Sequence, residues 1–203
     1  MNTQLFRAAQ VSEFSDLLRR GEIGAFPTDT VYGVAAHPTH PDSIARLFKA
    51  KRRPLDKTIP FLLADIEGLE QIAESPGGAA IRLAERFWPG ALTIVLRRRK
   101  SDPDDPPTVA VRIPSLEIAR DVIRQAGGLL AVTSANISGG LDCITAAQVV
   151  EQLGGRIDGL LDGGTCPGGV SSTVVDATLE PVRILRQGGT PLDALREVVD
   201  IAG

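Results

Sequence analysis

Short apolar runs alternate with amphipathic segments along the chain, and this alternation is typical of an α/β protein. The apolar runs are bounded by turn-forming residues, so each is predicted to be one strand. These predicted strands cover residues 23–26, 58–63, 91–96, 108–112, 129–133, 159–161, 173–176 and 182–185. Pro60 lies inside the second run, and proline is tolerated mainly at sheet edges, so that strand is expected to be an edge strand or an interrupted one.

Helical periodicity fills the gaps between the predicted strands. A helix over residues 11–20 is expected to end at Gly21. The other predicted helices are one that ends near Lys51, two over 66–73 and 78–87, one from Pro114-Ser115 to Ala126, one from Thr145 to Leu153, and a last one starting at Thr190-Pro191. This order of elements predicts a twisted mixed sheet with flanking helices, in a single domain over residues 1–203.

Composition narrows the class of protein further. The chain has 203 residues, enough for one α/β domain with a full core. No apolar run approaches the roughly 20 residues of a membrane span, and the N-terminus lacks the zones of a signal peptide. The two cysteines, Cys143 and Cys166, form neither a disulfide framework nor a CxxC pair. We therefore expect a cytoplasmic protein with no membrane partner.

Polar side chains follow several of the predicted strands. In open α/β sheets, ligands bind in the crevice at the strand ends. The polar residues at these ends are Thr28, Asp29, Thr30, Arg112, Ser134, Asn136, Ser172, Thr173 and Arg186. After the first strand, a turn containing Gly33 leads to the helix that delivers Lys51, Arg53 and Lys57. The pattern predicts a basic cavity against the sheet.

Positive charge is the unusual property of this predicted cavity. Its cations are Lys51, Arg53, Lys57, Arg112 and Arg186. The same loops offer only Asp29 and Asp56 as nearby acids, and buried cations without partners are unfavourable. Either each cation points separately into water, or an anionic ligand such as a nucleoside triphosphate supplies the counter-charge. The chain has no GxxxxGK[ST] and no GxGxxG motif, so side chains and loop amides would hold such a ligand.

Three other patterns are less specific. Four cations at 97–100, followed by SDPDDPP, fit either a solvated strand end leading to a mobile loop or a lid that faces phosphates. His37 and His40 lack a third ligand, so they are expected to be solvated loop residues, and no metal site is predicted. Cys143 has no neighbouring histidine and Ser138 is not in a GxSxG elbow, which disfavours a nucleophilic hydrolase. The net charge of −3 disfavours a broad nucleic-acid-binding surface.

Six motifs occur in a specific order: PTDTVYG, KAKRRP with its K-x-R, TVAVR, the S-x-N of SAN, SSTVVD and ILR. From residue 23 to residue 186 the sequence thereby resembles the Sua5/YrdC family. The resemblance implies a YrdC-like fold and a nucleotidyltransferase that makes L-threonylcarbamoyladenylate from L-threonine, bicarbonate or CO2, and ATP, with Mg2+ accompanying the ATP. It also implies a place in formation of the t6A base at adenosine 37 of tRNA, with a downstream tRNA-modifying t6A transferase complex as partner.

The family motifs also imply roles for particular residues. Lys51 and Arg53 would be catalytic. ATP would be held by Arg53, Lys57, Thr108, Ser134, Asn136, Thr145 and Arg186. Threonine would be held by Thr30, Arg112, Ser134 and Ser172. Arg112 would pair with the threonine carboxylate, because a planar guanidinium can bind a carboxylate through two hydrogen bonds.

Two departures and two alternatives accompany this resemblance. Family members usually read RPG where this chain has Arg186-Gln187-Gly188, and long Sua5 members carry a second domain, so the chain looks like the short YrdC type. The sister YciO branch lacks K-x-R and S-x-N, and both are present here. The alternatives are a non-enzymatic RNA- or nucleotide-binding module, for which weak RNA binding would be the sign, and a carbamoyl-handling domain like that of hydrogenase maturation factors.

Overall fold

A computed structural model of the chain describes residues 2–100, 102–103 and 105–202. The strands are β1 (Gln4–Arg7), β2 (Gly24–Phe26), β3 (Gly33–Ala36), β4 (Phe61–Leu63), β5 (Leu92–Arg97), β6 (Thr108–Arg112), β7 (Leu129–Ser134), β8 (Gly159–Asp162), β9 (Thr173–Asp176) and β10 (Arg183–Arg186). The helices are α1 (Val11–Arg19), α2 (Pro41–Lys51), α3 (Gly78–Phe87), α4 (Glu117–Gln125), α5 (Ala146–Leu153) and α6 (Leu192–Arg196), with 3₁₀ turns at Ala8–Gln10 and Ile66–Gln71.

The described strands form one mixed sheet in the order β1-β8-β2-β3-β7-β4-β6-β5-β9-β10. Parallel pairs join β1 to β8, β8 to β2, β4 to β6 and β5 to β9, and the other five neighbouring pairs are antiparallel. This arrangement confirms the predicted twisted mixed α/β sheet with flanking helices. The prediction of a single domain over residues 1–203 stays a prediction.

Alternation along the strands produces a core on each face of one half of the sheet. In β2 and β8, Ala25 and Leu160 pack into one cluster with α2 and α5, whereas the next residues, Phe26 and Leu161, pack into the other with α1 and α4. Because successive side chains of a strand point to opposite faces, each strand in this half supports both helical layers.

The other half of the sheet has helices packed against one face and a cavity against the opposite face. Leu92 and Ile94 of β5 and Val111 of β6 belong to a core with α3 and α6. The intervening residues, Thr93 and Arg112 among them, line a cavity instead. The same period of two therefore builds a core on one side and the floor of a binding site on the other.

Three sequence-based expectations about the sheet are corrected. β4 lies inside the sheet between β7 and β6, so it is not an edge strand; it begins at Phe61, directly after Pro60, which agrees with the alternative of an interrupted strand. The proline is tolerated because it precedes the paired residues. β3 begins at Gly33, which the sequence analysis placed in a turn, and β1 pairs at the sheet edge. Neither strand was predicted, because each contains few of the β-branched and aromatic residues typical of strands.

The helix caps agree with the prediction at two ends and differ at two. Gly21, with a φ of 83°, follows α1, and Thr145 caps α5 by accepting from the Gln148 amide. The α4 helix starts at Glu117 with Leu116 as its cap, one residue after the predicted cap at Pro114-Ser115. Pro191 is the cap of α6 and not its first helical residue.

The two histidines of HPTHP are half-buried, which corrects the expectation that they are solvated. His37 Nε2 lies 3.0 Å from the Ala126 carbonyl oxygen, and His40 Nε2 lies 3.1 Å from that of Arg19. Those carbonyls belong to the C-terminal ends of α4 and α1, where backbone acceptors lack helical partners. The histidine pair thus satisfies two helix ends. Over the described residues, no helix is both long and apolar enough to span a bilayer.

Arg52 ends α2 in a left-handed conformation, with a φ of 53°. The Arg52 amide donates to Lys49 O and the Arg53 amide donates to Phe48 O, which is the Schellman arrangement usually closed by glycine. This turn reverses the backbone so that Lys51 and Arg53 leave the helix end in different directions.

We expect Arg52→Gly to leave the free energy of unfolding unchanged or to raise it by up to about 1 kcal/mol, because glycine adopts positive φ without strain. Lys49→Gly is the matched control, since Lys49 is exposed inside the same helix, and there the change should cost about 0.5–1 kcal/mol. Urea denaturation measures both. Equal destabilisation by the two glycines would contradict the role given to Arg52.

Candidate active site

One cavity of about 290 Å³ collects most of the predicted site residues. Six of the eleven line it, namely Thr30, Arg53, Arg112, Ser134, Ser172 and Arg186. They come from the turn after β2, the end of α2, the ends of β6, β7 and β10, and the residue before β9. The structure therefore brings these segments together around one cavity, and the roles given to the six residues stay predictions.

Arg112 lies at the base of the cavity and is only 5% exposed. Its Nη2 forms an ion pair with Asp29, Nη1 donates to Thr30 Oγ1 at 2.8 Å, and Nε donates to Gly90 O at 2.8 Å. A guanidinium has five N–H groups, so two remain for a ligand. Asp29, one of the two acids that the sequence analysis placed near the cations, is therefore the counter-ion of Arg112.

Thr30 faces the cavity with a defined hydrogen-bond polarity. The Thr28 hydroxyl donates to Val31 O at 2.7 Å, so its only hydrogen is used. In the 2.9 Å contact between the two hydroxyls, Thr30 must then be the donor, and Thr30 Oγ1 also accepts from Arg112. The free capacity of Thr30 is an acceptor lone pair, which suits an N–H group of a ligand.

Arg53 is half-buried and has unused donors. Its Nη2 donates to Thr58 O at 2.6 Å. Its Nε is buried and has no hydrogen-bond partner among the described residues. An unpaired buried donor costs about 1–3 kcal/mol, so this position favours a ligand acceptor.

Arg186 lies at the exposed mouth of the cavity. Its Nη2 donates to Ser172 O at 2.8 Å and lies 3.2 Å from Ser172 Oγ. Ser172 Oγ is in turn 2.8 Å from the buried Thr93 hydroxyl. These contacts aim the guanidinium along the cavity wall. The Gln187 that departs from the family pattern follows directly, and Gly188 still donates to Thr173 Oγ1 at 2.9 Å.

Lys51 is 1% exposed and lies behind the cavity wall. Its ammonium donates to the Ser134 carbonyl, to Asn136 O at 2.7 Å and to Asn136 Oδ1 at 3.2 Å. Ser134 Oγ donates to the same Asn136 Oδ1 at 2.6 Å. The K-x-R and S-x-N motifs are therefore joined, but through the loop and not across the cavity.

Burial lowers the pKa of each of these cations, and a neighbouring cation adds to the effect for three of them. Burial, and next the charge of Arg53, lower the pKa of Lys51 to about 8. Burial and then the charge of Arg186 lower the pKa of Arg53. Burial lowers the pKa of Arg112 despite the opposing effect of Asp29, and partial burial lowers that of Arg186. The arginines remain charged at neutral pH, so they repel one another in the folded protein. A bound anion would reduce this repulsion.

The other predicted residues lie elsewhere. Lys57 is exposed, Asn136 is buried behind Ser134, and Thr145 caps α5. Thr108 lines a second cavity of about 580 Å³, whose wall includes Ile44, Phe48, Ile59 and Phe61. The two cavities share Thr58, Val95, Ala110 and Leu185, so they adjoin.

The cation run at 97–100 fits neither of its two proposed interpretations completely. Arg97, Arg99 and Lys100 are exposed, as a solvated strand end requires. Arg98 instead pairs with Asp105 at 2.9 Å, stacks over the Phe61 ring and lines the second cavity. Ser101 and Asp104 of SDPDDPP lie outside the described residues.

Two contributors to the cavity were missed by sequence reasoning. Thr93 supports Ser172, and its signal was a polar residue inside the apolar run ALTIVL. Asp142 accepts from Ser171 Oγ at 2.6 Å and so joins the loop after β7 to the loop before β9. No sequence pattern marks that second contact, because its partners are 29 residues apart.

Comparison with known proteins identifies the family. The model of the Sua5/YciO/YrdC family, described as "Telomere recombination", matches residues 16–188. The chain belongs to the Sua5/YciO/YrdC family. It is 41% identical to the threonylcarbamoyl-AMP synthase of Pyrococcus abyssi over 90% of this chain and 55% of that protein. It is 38% identical to the threonylcarbamoyl-AMP synthase of Bacillus subtilis over 94% of this chain and 56% of that protein.

A solved Sua5/YciO/YrdC structure matches the whole fold. The crystal structure of P. abyssi Sua5 complexed with L-threonine superposes with a TM-score of 0.92 at 37% identity, covering 100% of this chain and 63% of that one. The present chain therefore spans little more than half the length of these relatives.

Because Arg112 is buried, its one carboxylate partner should be essential for stability. We expect Asp29→Ala to lower the free energy of unfolding by about 3–5 kcal/mol, since it strands a buried cation. Asp65→Ala removes a carboxylate from an exposed pair with Arg124, and there we expect less than about 1 kcal/mol. Chemical denaturation measures both. Similar losses of unfolding free energy in the two variants would show that the buried Arg112–Asp29 pair contributes no more to stability than the exposed pair.

Proposed function

We propose that the chain is an L-threonylcarbamoyladenylate synthase, which joins L-threonine, bicarbonate or CO2, and ATP and releases pyrophosphate. The observation that carries this proposal is the meeting of Arg53, Arg112 and Arg186 in one cavity whose only carboxylate hydrogen-bonded to any of them, among the described residues, is that of Asp29. The site is short of negative charge, and a triphosphate with an amino-acid carboxylate would supply it.

The geometry supports a division of the cavity between the two substrates. Arg112 has two free N–H groups beside Thr30, which offers an acceptor, so together they suit the carboxylate and the amine of threonine. Arg53 and Arg186 repel each other and have unused donors, so they suit the phosphates. Ser172 lies between Arg186 and Thr93, where it can contact threonine.

The second cavity fits the rest of the nucleotide. The first cavity is at the lower limit of ligand sites, which are typically about 300–1,000 Å³, and is too small for two substrates. The adjoining cavity has apolar walls and polar groups such as Thr108, which suit a base and ribose. In this arrangement Thr108 binds ATP as the family motif implies, although it does not line the first cavity.

The chemistry asks the protein mainly for positioning. The nitrogen of the threonine amine bonds to the carbon of CO2 and releases a proton to give a carbamate; with bicarbonate, a C–O bond breaks and water is released. A carbamate oxygen then bonds to the α-phosphorus of ATP as the bond to the bridging oxygen breaks, and pyrophosphate leaves. The reactants are all anionic, so the guanidinium groups hold together molecules that would repel one another in water.

Mg2+ would be bound mainly by the nucleotide. Asp29 is engaged by Arg112 and Asp142 by Ser171, and no metal-binding cluster of His, Cys, Asp or Glu occurs in the described part of the chain. Phosphate oxygens and water are the ligands that Mg2+ usually takes in such sites, where it neutralises phosphate charge. In the cell we place the product before t6A formation at adenosine 37 of tRNA, with a cytoplasmic t6A transferase complex consuming it.

The test is pyrophosphate release that requires both L-threonine and bicarbonate. We expect Arg53→Ala to lower that rate by on the order of 10²-fold, because it removes a charged donor from the transition state. Arg183→Ala is the matched control, since Arg183 is exposed on the same strand as Arg186, and its rate should stay within about twofold.

ATP turnover that does not depend on threonine, or no turnover at all, would oppose this function. An equal rate in Arg53→Ala and the unmodified protein would instead oppose the catalytic role given to Arg53. A salt-dependent gel shift with RNA in the absence of turnover would instead favour the nucleic-acid-binding module.

A further inference from the structure

Lys51 has no hydrogen left for a substrate. An ammonium group has three N–H donors and no acceptor. All three of its hydrogen bonds go to the protein, to the Ser134 carbonyl and to the two oxygens of Asn136. Arg53, two residues later, differs in both respects, because it lines the cavity and retains an unpaired Nε.

The three bonds of Lys51 fix the S-x-N loop. Since the ammonium can only donate, Asn136 must present Oδ1 to it, which directs Nδ2 to Gly140 O at 2.7 Å. Ser134 Oγ then meets an acceptor at 2.6 Å and must donate to it. The Lys51 carbonyl also accepts from the Ser138 amide at 2.9 Å. One residue thus holds the loop from Ser134 to Gly140 at several points.

This network determines what Ser134 offers to the cavity. Its hydroxyl hydrogen is used by Asn136, so only lone pairs face the ligand. We propose that Lys51 is a positioning residue, which holds Ser134 as a hydrogen-bond acceptor towards the cavity and does not itself contact the substrates. Ser134 then receives an N–H or O–H group of a ligand, such as a ribose hydroxyl or an amine, and not a phosphate oxygen. The catalytic part of this inference rests on the proposed synthase function.

The first experiment needs no substrate. Amide hydrogen exchange of the ligand-free protein is compared for the unmodified chain, Lys51→Met and Arg53→Met. We expect protection at residues 135–140 to fall by at least about 10-fold in Lys51→Met only, while residues 131–133 of β7 keep theirs. Unchanged protection in Lys51→Met would overturn the proposal, whatever the activity of the chain. If Lys51→Met does not fold, Asn136→Ala, which removes the shared acceptor, should loosen the same amides.

The second experiment is a pair of double-mutant cycles read by kcat/KM for ATP. If Lys51 acts through Ser134, adding Ser134→Ala to Lys51→Met should cost no more than about a further twofold. Adding Arg53→Met should instead multiply the two losses, because Arg53 acts independently. Multiplicative losses with Ser134→Ala would mean that Lys51 contacts the substrate directly. Should the synthase reaction be absent, equilibrium ATP binding supplies the same cycles, so the failure of the function and of the positioning role are distinguished.

Discussion

The burial of positive charge is the constraint on which the rest of the structure depends. An isolated cation in a protein interior costs several kcal/mol, and this chain places one guanidinium and one ammonium in nearly complete burial. The two are accommodated differently. Arg112 contacts a carboxylate, Asp29, whereas the hydrogen bonds of Lys51 within the described residues go to backbone and amide oxygens, and Asp142 acts on it through its charge without a direct hydrogen bond. The carbonyl and amide dipoles of the S-x-N loop therefore stabilise the buried charge of Lys51, and the Asp29 carboxylate stabilises that of Arg112.

These two solutions give the cavity two kinds of wall. Around Arg112 the charge is balanced, and the contacts with Thr30 and Gly90 leave a rigid guanidinium with donors to spare. Arg53 and Arg186 contact only carbonyl or hydroxyl oxygens in the described chain, and Asp56 and Asp142 act on them through charge without direct contact. A small zwitterion suits the first wall and a polyanion suits the second. The asymmetry of charge, more than the volume, distinguishes the parts of the site.

The sequence predicted most of the sheet because local signals determine its strands. β6 coincides with the TVAVR run, and the alternation within it correctly separates Arg112 from the core-facing Val111. Strand position was less predictable. Pro60 suggested an edge strand or an interrupted one, and β4 is interior but begins only after the proline. What decides the cost of a proline is whether its missing N–H would have joined the ladder. β1 was missed because its partner, β8, is distant in sequence. β3 pairs with the preceding strand β2, but its residues, one glycine, one valine and two alanines, give no strand pattern.

For the site, residue types predicted that the cations would come together, but not the direction in which each side chain points. Lys51 and Arg53 are two residues apart in their motif, and both are cations at or just after the end of α2, so residue type alone does not distinguish them. The left-handed turn at Arg52 separates them, sending one side chain beneath the S-x-N loop and the other into the cavity. The K-x-R motif, in which the family resemblance makes both Lys51 and Arg53 catalytic, thus places one side chain against a loop and the other at the cavity. The difference depends on the left-handed backbone conformation of Arg52, which residue types alone do not predict.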